Sequence, residues 1–395
     1  MINCHFLETK KFKTTNICVL LRRKLSREEA TKNALIANVL RRSSRAYPTM
    51  SALNRRLEEL GGAVFDIGVV KKGEEQILQF FLEADNLGAG LDFLREIMLN
   101  PLENDGEFDC SVVCAEIENQ RNALRERQND KTEYAKFRLL EEMGEPFGIS
   151  ADGYEEDLQH SAVCLFEHYQ TLLRTSPIEI LIIGDIDKRA EEVLGIFDIK
   201  RGEIAKIPEM KETAFREPRR VRDEQNNTQA RLCMGFRVPY KEDFGASRDF
   251  YALLLLNEIL GASPVSKLFL SVREKDSLCY NINSYIYRFN GILAVQCGAD
   301  ADKLHWIEES VQDALAEIQA GGIPEFSRAV KGISKRFRAI EDSPSASLNF
   351  YLSQYMLGVP LEKTKDFINR VQNVTKDEII KMSETLRLDT VYTCT

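Results

Sequence analysis

The chain of 395 residues is poor in histidine, with only His5, His160, His168 and His305, and it has a single tryptophan. Its nine cysteines contain no C-x-x-C pair. An odd, scattered set signals neither a zinc ribbon nor a disulfide scaffold and suits reduced thiols in a cytosol. No G-x-S-x-G elbow is present, so nothing points to a serine hydrolase. The most apolar stretch, residues 250–262, is interrupted by Asn257 and Glu258 and is too short to span a bilayer. The first thirteen residues lack the basic start and apolar run of a secretory signal. A cytoplasmic protein without a membrane partner is expected.

What is present is ordinary globular composition, 44% hydrophobic and 29% charged. The length exceeds what one hydrophobic core usually holds, which predicts two or more domains. A net charge of −9 repels phosphate backbones, so no nucleic-acid partner is expected. One basic cluster, Arg216, Arg219, Arg220 and Arg222, lies in a polar stretch with Pro208 and Pro218 and reads as a solvated linker. The expected division is residues 1–205, a linker at 206–227, and residues 228–395.

The two flanks read alike. In the first, helical patterns over 32–40 and 50–60 end at Gly61-Gly62, strands follow at 63–70 and 76–84, and a helix then runs to Met98. In the second, helices over 250–260 and 265–274 precede strands at 279–287 and 291–297 and a helix over 303–319. The strand ends FFLEAD (80–85) and AVQCGAD (294–300) lie 215 residues apart, the mark of a duplicated domain. Helical stretches at 108–127 and 325–339 and short strands at 179–183 and 390–393 complete the parallel. The order predicts an α+β fold: two similar tandem domains, each a largely antiparallel sheet with helices packed on one face.

The run ALIANVLRRSSRAYPTMSALNRRLEELGGAV, residues 34–64, resembles the opening motif region of the pitrilysin/insulinase metallopeptidases, and residues 39–62 align to it without a gap. The segment LSVREKDSLCYNINSYIY, residues 270–287, is similar to the family's C-terminal signature, an Arg followed seven positions later by a Tyr. The resemblance covers nearly the whole chain and implies a short-type subunit. It departs at the zinc motif. Active members carry H-x-x-E-H, two imidazoles one helical turn apart with a general base between. The corresponding positions here are Ala34, Ala37 and Asn38, which supply neither ligand pair nor base. The third family ligand corresponds to Glu116, which, like Glu118, reads as a solvated helix glutamate. Elsewhere His160 and His168 are more than two helical turns apart, and Cys110 and Cys114 read as half-buried thiols on an amphipathic helix.

The resemblance further implies that Arg273 and Tyr280 hold substrate carbonyls and the tetrahedral oxyanion in a zinc site. Donors aimed at developing negative charge favour the transition state. Where the family works as two short chains, these residues assist the zinc of the other subunit. The expectation is a non-catalytic subunit with no metal or cofactor of its own. Its partners would be a zinc-bearing homologous subunit and an unstructured peptide substrate. The alternative is a catalytically inert peptide-binding scaffold, possibly forming a homodimer, in which Arg273 and Tyr280 are vestigial.

Overall fold

A computed structural model describes residues 2–144, 146–186, 193, 195, 197, 199–207, 215–225, 229–239 and 247–395. The chain forms two compact units: residues 1–126 with 149–209, and residues 127–148 with 210–395. Among the described residues no helix is long and apolar enough to cross a membrane.

The first unit is built on β1 (Ile2–Glu8), β2 (Thr15–Lys24), β3 (Val64–Lys72), β4 (Glu75–Ala84) and β7 (Ile178–Gly184). The short hairpin β5 (Glu103–Asn104) and β6 (Glu107–Phe108) stands apart. The sheet order is β1-β7-β2-β4-β3. β1 runs parallel to β7 and all other neighbours are antiparallel. Helices α1 (Arg27–Leu40), α2 (Met50–Glu59) and α3 (Leu87–Leu99) contribute to its core. Each has a side-chain N-cap, from Ser26, Thr49 and Asn86 respectively, that satisfies one of the free amides of the first turn. The core joins Ile17, Val19 and Leu21 of β2 and Leu78, Phe80 and Leu82 of β4 to Leu35, Ile36 and Val39 of α1 and Leu91, Leu94 and Ile97 of α3.

The second unit has β8 (Arg219–Asp223), β9 (Ala230–Arg237), β10 (Cys279–Tyr287), β11 (Ile292–Ala299) and β12 (Arg387–Cys394) in the order β10-β11-β9-β12-β8. Read from its other edge this is the arrangement of the first sheet, with the parallel pair (β8 with β12) again at one edge. The 215-residue repeat is thus a repeat of topology. One face buries Leu232, Met234, Phe236, Leu293 and Val295 against residues 250–260 and the helix Leu304–Gln319.

The other face of the second sheet is covered too, which the sequence reading did not foresee. Helix α5 (Lys131–Met143) packs there, with Leu139, Leu140 and Met143 against Cys233, Ile292, Ala294 and Tyr392. Gly235 of β9 makes the approach possible, since a Cβ there would collide with the Met143 sulfur. Arginines hold the C-terminal end of α5, where the helix leaves carbonyls unpaired and the dipole favours cations. Arg216 and Arg219 donate to the Glu142 carbonyl at 2.7 and 3.0 Å, and Arg237 to the Met143 carbonyl at 2.5 Å. Arg237 is buried and paired with buried Asp389 at 2.6 Å, and Arg216 reaches the same carboxylate at 2.8 Å.

These contacts change the reading of the basic cluster. Arg219–Asp223 is the edge strand β8, and Arg220 pairs with Glu308 at 2.6 Å. Residues 208–214 and 226–227 of the expected linker lie outside the described residues. The sequence reading also passed over β2 and β9. Their buried positions run almost without interruption, so the two-residue alternation that marks a half-exposed strand is missing. The helix expected over 265–274 begins only at Lys267 and widens to a π-helix over Phe269–Lys275.

Candidate functional site

The zinc-motif positions lie on α1 where it faces α4 (Cys110–Asn129). Ala37 is 1% exposed and belongs to the hydrophobic core, and Ala34 is buried as well. Half-buried Asn38 donates to Gln120 Oε1 at 3.4 Å, and Gln120 in turn donates to the Asp152 carbonyl at 2.8 Å. Just past the C-terminal end of α1, Arg42 Nε donates to Glu116 Oε1 at 2.5 Å, and Asn119 donates to the same oxygen at 3.0 Å. Position 38 of α1 and position 42 in the turn after it therefore meet positions 120 and 116 of α4.

Glu116 corrects the sequence reading. It is 2% exposed and ion-paired, not solvated. Glu118 is exposed and pairs with Arg121 on its own helix. A buried carboxylate requires a partner, and Arg42 supplies one. The arrangement does not fit a zinc ion. Two methyl groups and a carboxamide stand at the other positions, and a guanidinium occupies the one remaining carboxylate. Among the described residues no three His, Cys, Asp or Glu side chains form a group able to hold a metal. His168 Nε2 sits 2.9 Å from Asn33 Oδ1 on α1, and burial holds its pKa below the usual imidazole value.

Arg273 and Tyr280 lie on consecutive elements of the second unit. Arg273 is on the π-helix Phe269–Lys275, a widened turn of the kind frequent at functional sites. Its guanidinium lies over the Phe269 ring at 4.6 Å and is 3.9 Å from Glu274 Oε1, both loose contacts. Tyr280 occupies an irregularity near the start of β10, where the pairing with β11 shifts between Cys279 and Asn281. Such a bulge re-aims a side chain, and Tyr280 is 54% exposed. The charge of Arg273 reaches the intervening thiol: burial pushes Cys279 up to about 11 while Arg273 pulls it down.

Tyr280 has partners that the sequence did not announce. Its hydroxyl donates to Asp300 Oδ1 at 2.9 Å, and Lys303 Nζ pairs with Asp300 Oδ2 at 2.9 Å. Lys303 first, and Tyr280 second, hold the Asp300 carboxyl below its usual range, and the same hydrogen bond raises the phenol. The clue in the sequence was the repeated Ala-Asp that closes FFLEAD and AVQCGAD. In the first unit its counterpart Asp85 packs against Gly61, which has φ +84°.

Residues 165–331 match the family model described as the peptidase M16 inactive domain. Over this stretch the chain is similar to peptidases of the M16 family. It is 28% identical to the probable inactive metalloprotease YmfF of Bacillus subtilis (strain 168), over 99% of this chain and 95% of that protein. It is 27% identical to the uncharacterized zinc protease YmxG of the same organism, over 59% of this chain and 56% of that protein. Among solved structures, that of a conserved protein from Enterococcus faecalis V583 superimposes with a TM-score of 0.91 at 26% identity, covering 100% of this chain and 96% of that one.

Proposed function

We propose that this chain is the non-catalytic subunit of a heteromeric M16-type peptidase. In this reading it lends Arg273 and Tyr280 to a peptide bound in the site of a zinc-bearing homologous subunit. The observation that carries it is the state of the two motif remnants. The α1–α4 positions are closed by buried, paired side chains, whereas the side chains of Arg273 and Tyr280 are exposed. The family resemblance assigns those two residues to binding the substrate carbonyl. A guanidinium and a phenol in that place donate to the oxygen as it gains negative charge.

Tyr280 must leave Asp300 to do so, because a hydroxyl has one proton to donate. The exchange is inexpensive at an exposed hydrogen bond. Among the described residues β10, which carries Tyr280, is an edge strand, and an extended peptide can add along its outer side as a further strand. Bacillus subtilis has both an inactive-type and a zinc-protease relative of this chain, the combination a heteromer needs. Nine free thiols suit a reducing, cytoplasmic compartment.

The test mixes the purified chain with a zinc-bearing homologue from its own organism and follows cleavage of an unstructured peptide. The chain alone is inert and the mixture is active. Arg273→Ala or Tyr280→Phe lowers the mixture's kcat/KM by about 10²–10³-fold. Full activity of a mixture containing both substitutions would refute the reading.

A further inference from the structure

Cys110 and Cys114 do not behave as the sequence pattern suggests. Both are exposed, and their sulfurs lie 3.9 Å apart on the first turns of α4. The helix start is well formed: Asp109 Oδ1 accepts from the backbone amides of Ser111 and Val112 at 2.9 and 3.2 Å. An intact helix sets residues i and i+4 one above the other on one face. The sulfur separation therefore follows from regular backbone. Ser111 and Ala115 beside them are also exposed, so solvent and solutes reach both thiols.

Their geometry is that of a chelating pair. With metal–thiolate bonds of about 2.3 Å, sulfurs 3.9 Å apart subtend roughly 115° at a shared ion, within the range of trigonal and tetrahedral coordination. A disulfide would instead require the sulfurs to close to about 2.05 Å. Two thiolates without nitrogen or further protein ligands favour soft ions over magnesium or calcium.

We propose that Cys110 and Cys114 form a surface dithiol site for a soft, thiophilic cation, of which monovalent copper is the type, with the remaining coordination positions open to small exogenous ligands. Binding replaces two S–H bonds by two S–metal bonds, releases two protons to solvent and transfers no electrons. The Cys114 thiol is held up first by its hydrogen-bonding contact with Cys110, and uptake, which must displace its proton, strengthens as pH rises. Neither residue takes part in the Arg42–Glu116 pairing or in the proposed role of Arg273 and Tyr280, so the site is independent of the peptidase reading.

The experiment titrates the reduced full-length protein, without oxygen, against cuprous ion held by bicinchoninate and follows loss of the coloured complex. Wild-type protein withdraws one equivalent. Cys110→Ser and Cys114→Ser each weaken uptake by at least about 10²-fold, since each leaves a monodentate thiol. Cys164→Ser, which removes another exposed thiol, leaves it unchanged. Circular dichroism confirms that the variants remain folded. Failure of wild-type protein to withdraw copper overturns the proposal, as does equal uptake by either of the first two variants or loss of uptake in the third.

Discussion

In the first unit, Glu116 is buried and gripped by Arg42 and Asn119, while Ala37 has joined the hydrophobic core. In the second unit, exposed Arg273 lies over the Phe269 ring and Tyr280 donates a hydrogen bond to Asp300 at the surface. Both units have the same sheet topology, so the fold does not explain the difference. Burial does. When ligand side chains are absent from the face of an interior helix, the space and the leftover charge have to be accommodated, here by methyl groups, a carboxamide contact and an ion pair. Side chains in solvent carry no such obligation. They can be retained for chemistry, or drift, with little effect on stability.

The comparison can be broken first at Glu116. Replacing it with alanine strips a buried acceptor from Arg42 and Asn119. Arg42 is partly exposed and can turn to water, so the expected cost is about 1–3 kcal/mol in urea unfolding. A neutral Glu116→Ala substitution would mean that the α1–α4 contact is not closed in the sense argued here.

A smaller effect is expected at His168, in the same unit. Burial is the main cause of its lowered pKa. Glu29 opposes the shift, and Lys32 and Arg23 reinforce it. The folded protein therefore binds this proton less readily than the unfolded chain. Its contribution is complete above the unfolded value of about 6.5 and is lost as pH falls below it, by no more than about 1.4 kcal/mol per pH unit. His168→Gln should flatten that part of the profile between pH 7.5 and pH 5.5. An unchanged slope would show that other groups carry it.

The smallest effect is expected in the second unit. Tyr280→Phe and Arg273→Ala should leave the thermal midpoint unchanged, because both side chains are exposed and few contacts depend on them. A clear fall in the midpoint of either variant would show these residues to be structural, and the contrast between the units would disappear.

Several features were legible in the chain itself. The 215-residue repeat, the helices before and after the hairpins, and the absence of two imidazoles and a base at positions 34, 37 and 38 all follow from local pattern and residue type. Turns, periodicity and ligand chemistry are properties of short stretches. The central strands β2 and β9 were not legible, because burial on both faces erases alternation. The partners of Glu116 and Tyr280 were not legible either. Arg42 lies 74 residues from Glu116, and Asp300 lies 20 residues from Tyr280 across a strand pair. The membership of α5 in the second unit was equally hidden, since it depends on Gly235 and Arg237 meeting Met143 from about 90 residues away. Sequence by itself determined which side chains stand at the zinc-motif positions. Tertiary structure decided which of its remaining charged and thiol groups are buried and paired and which are left facing solvent, because burial and pairing depend on what distant segments bring to the same place.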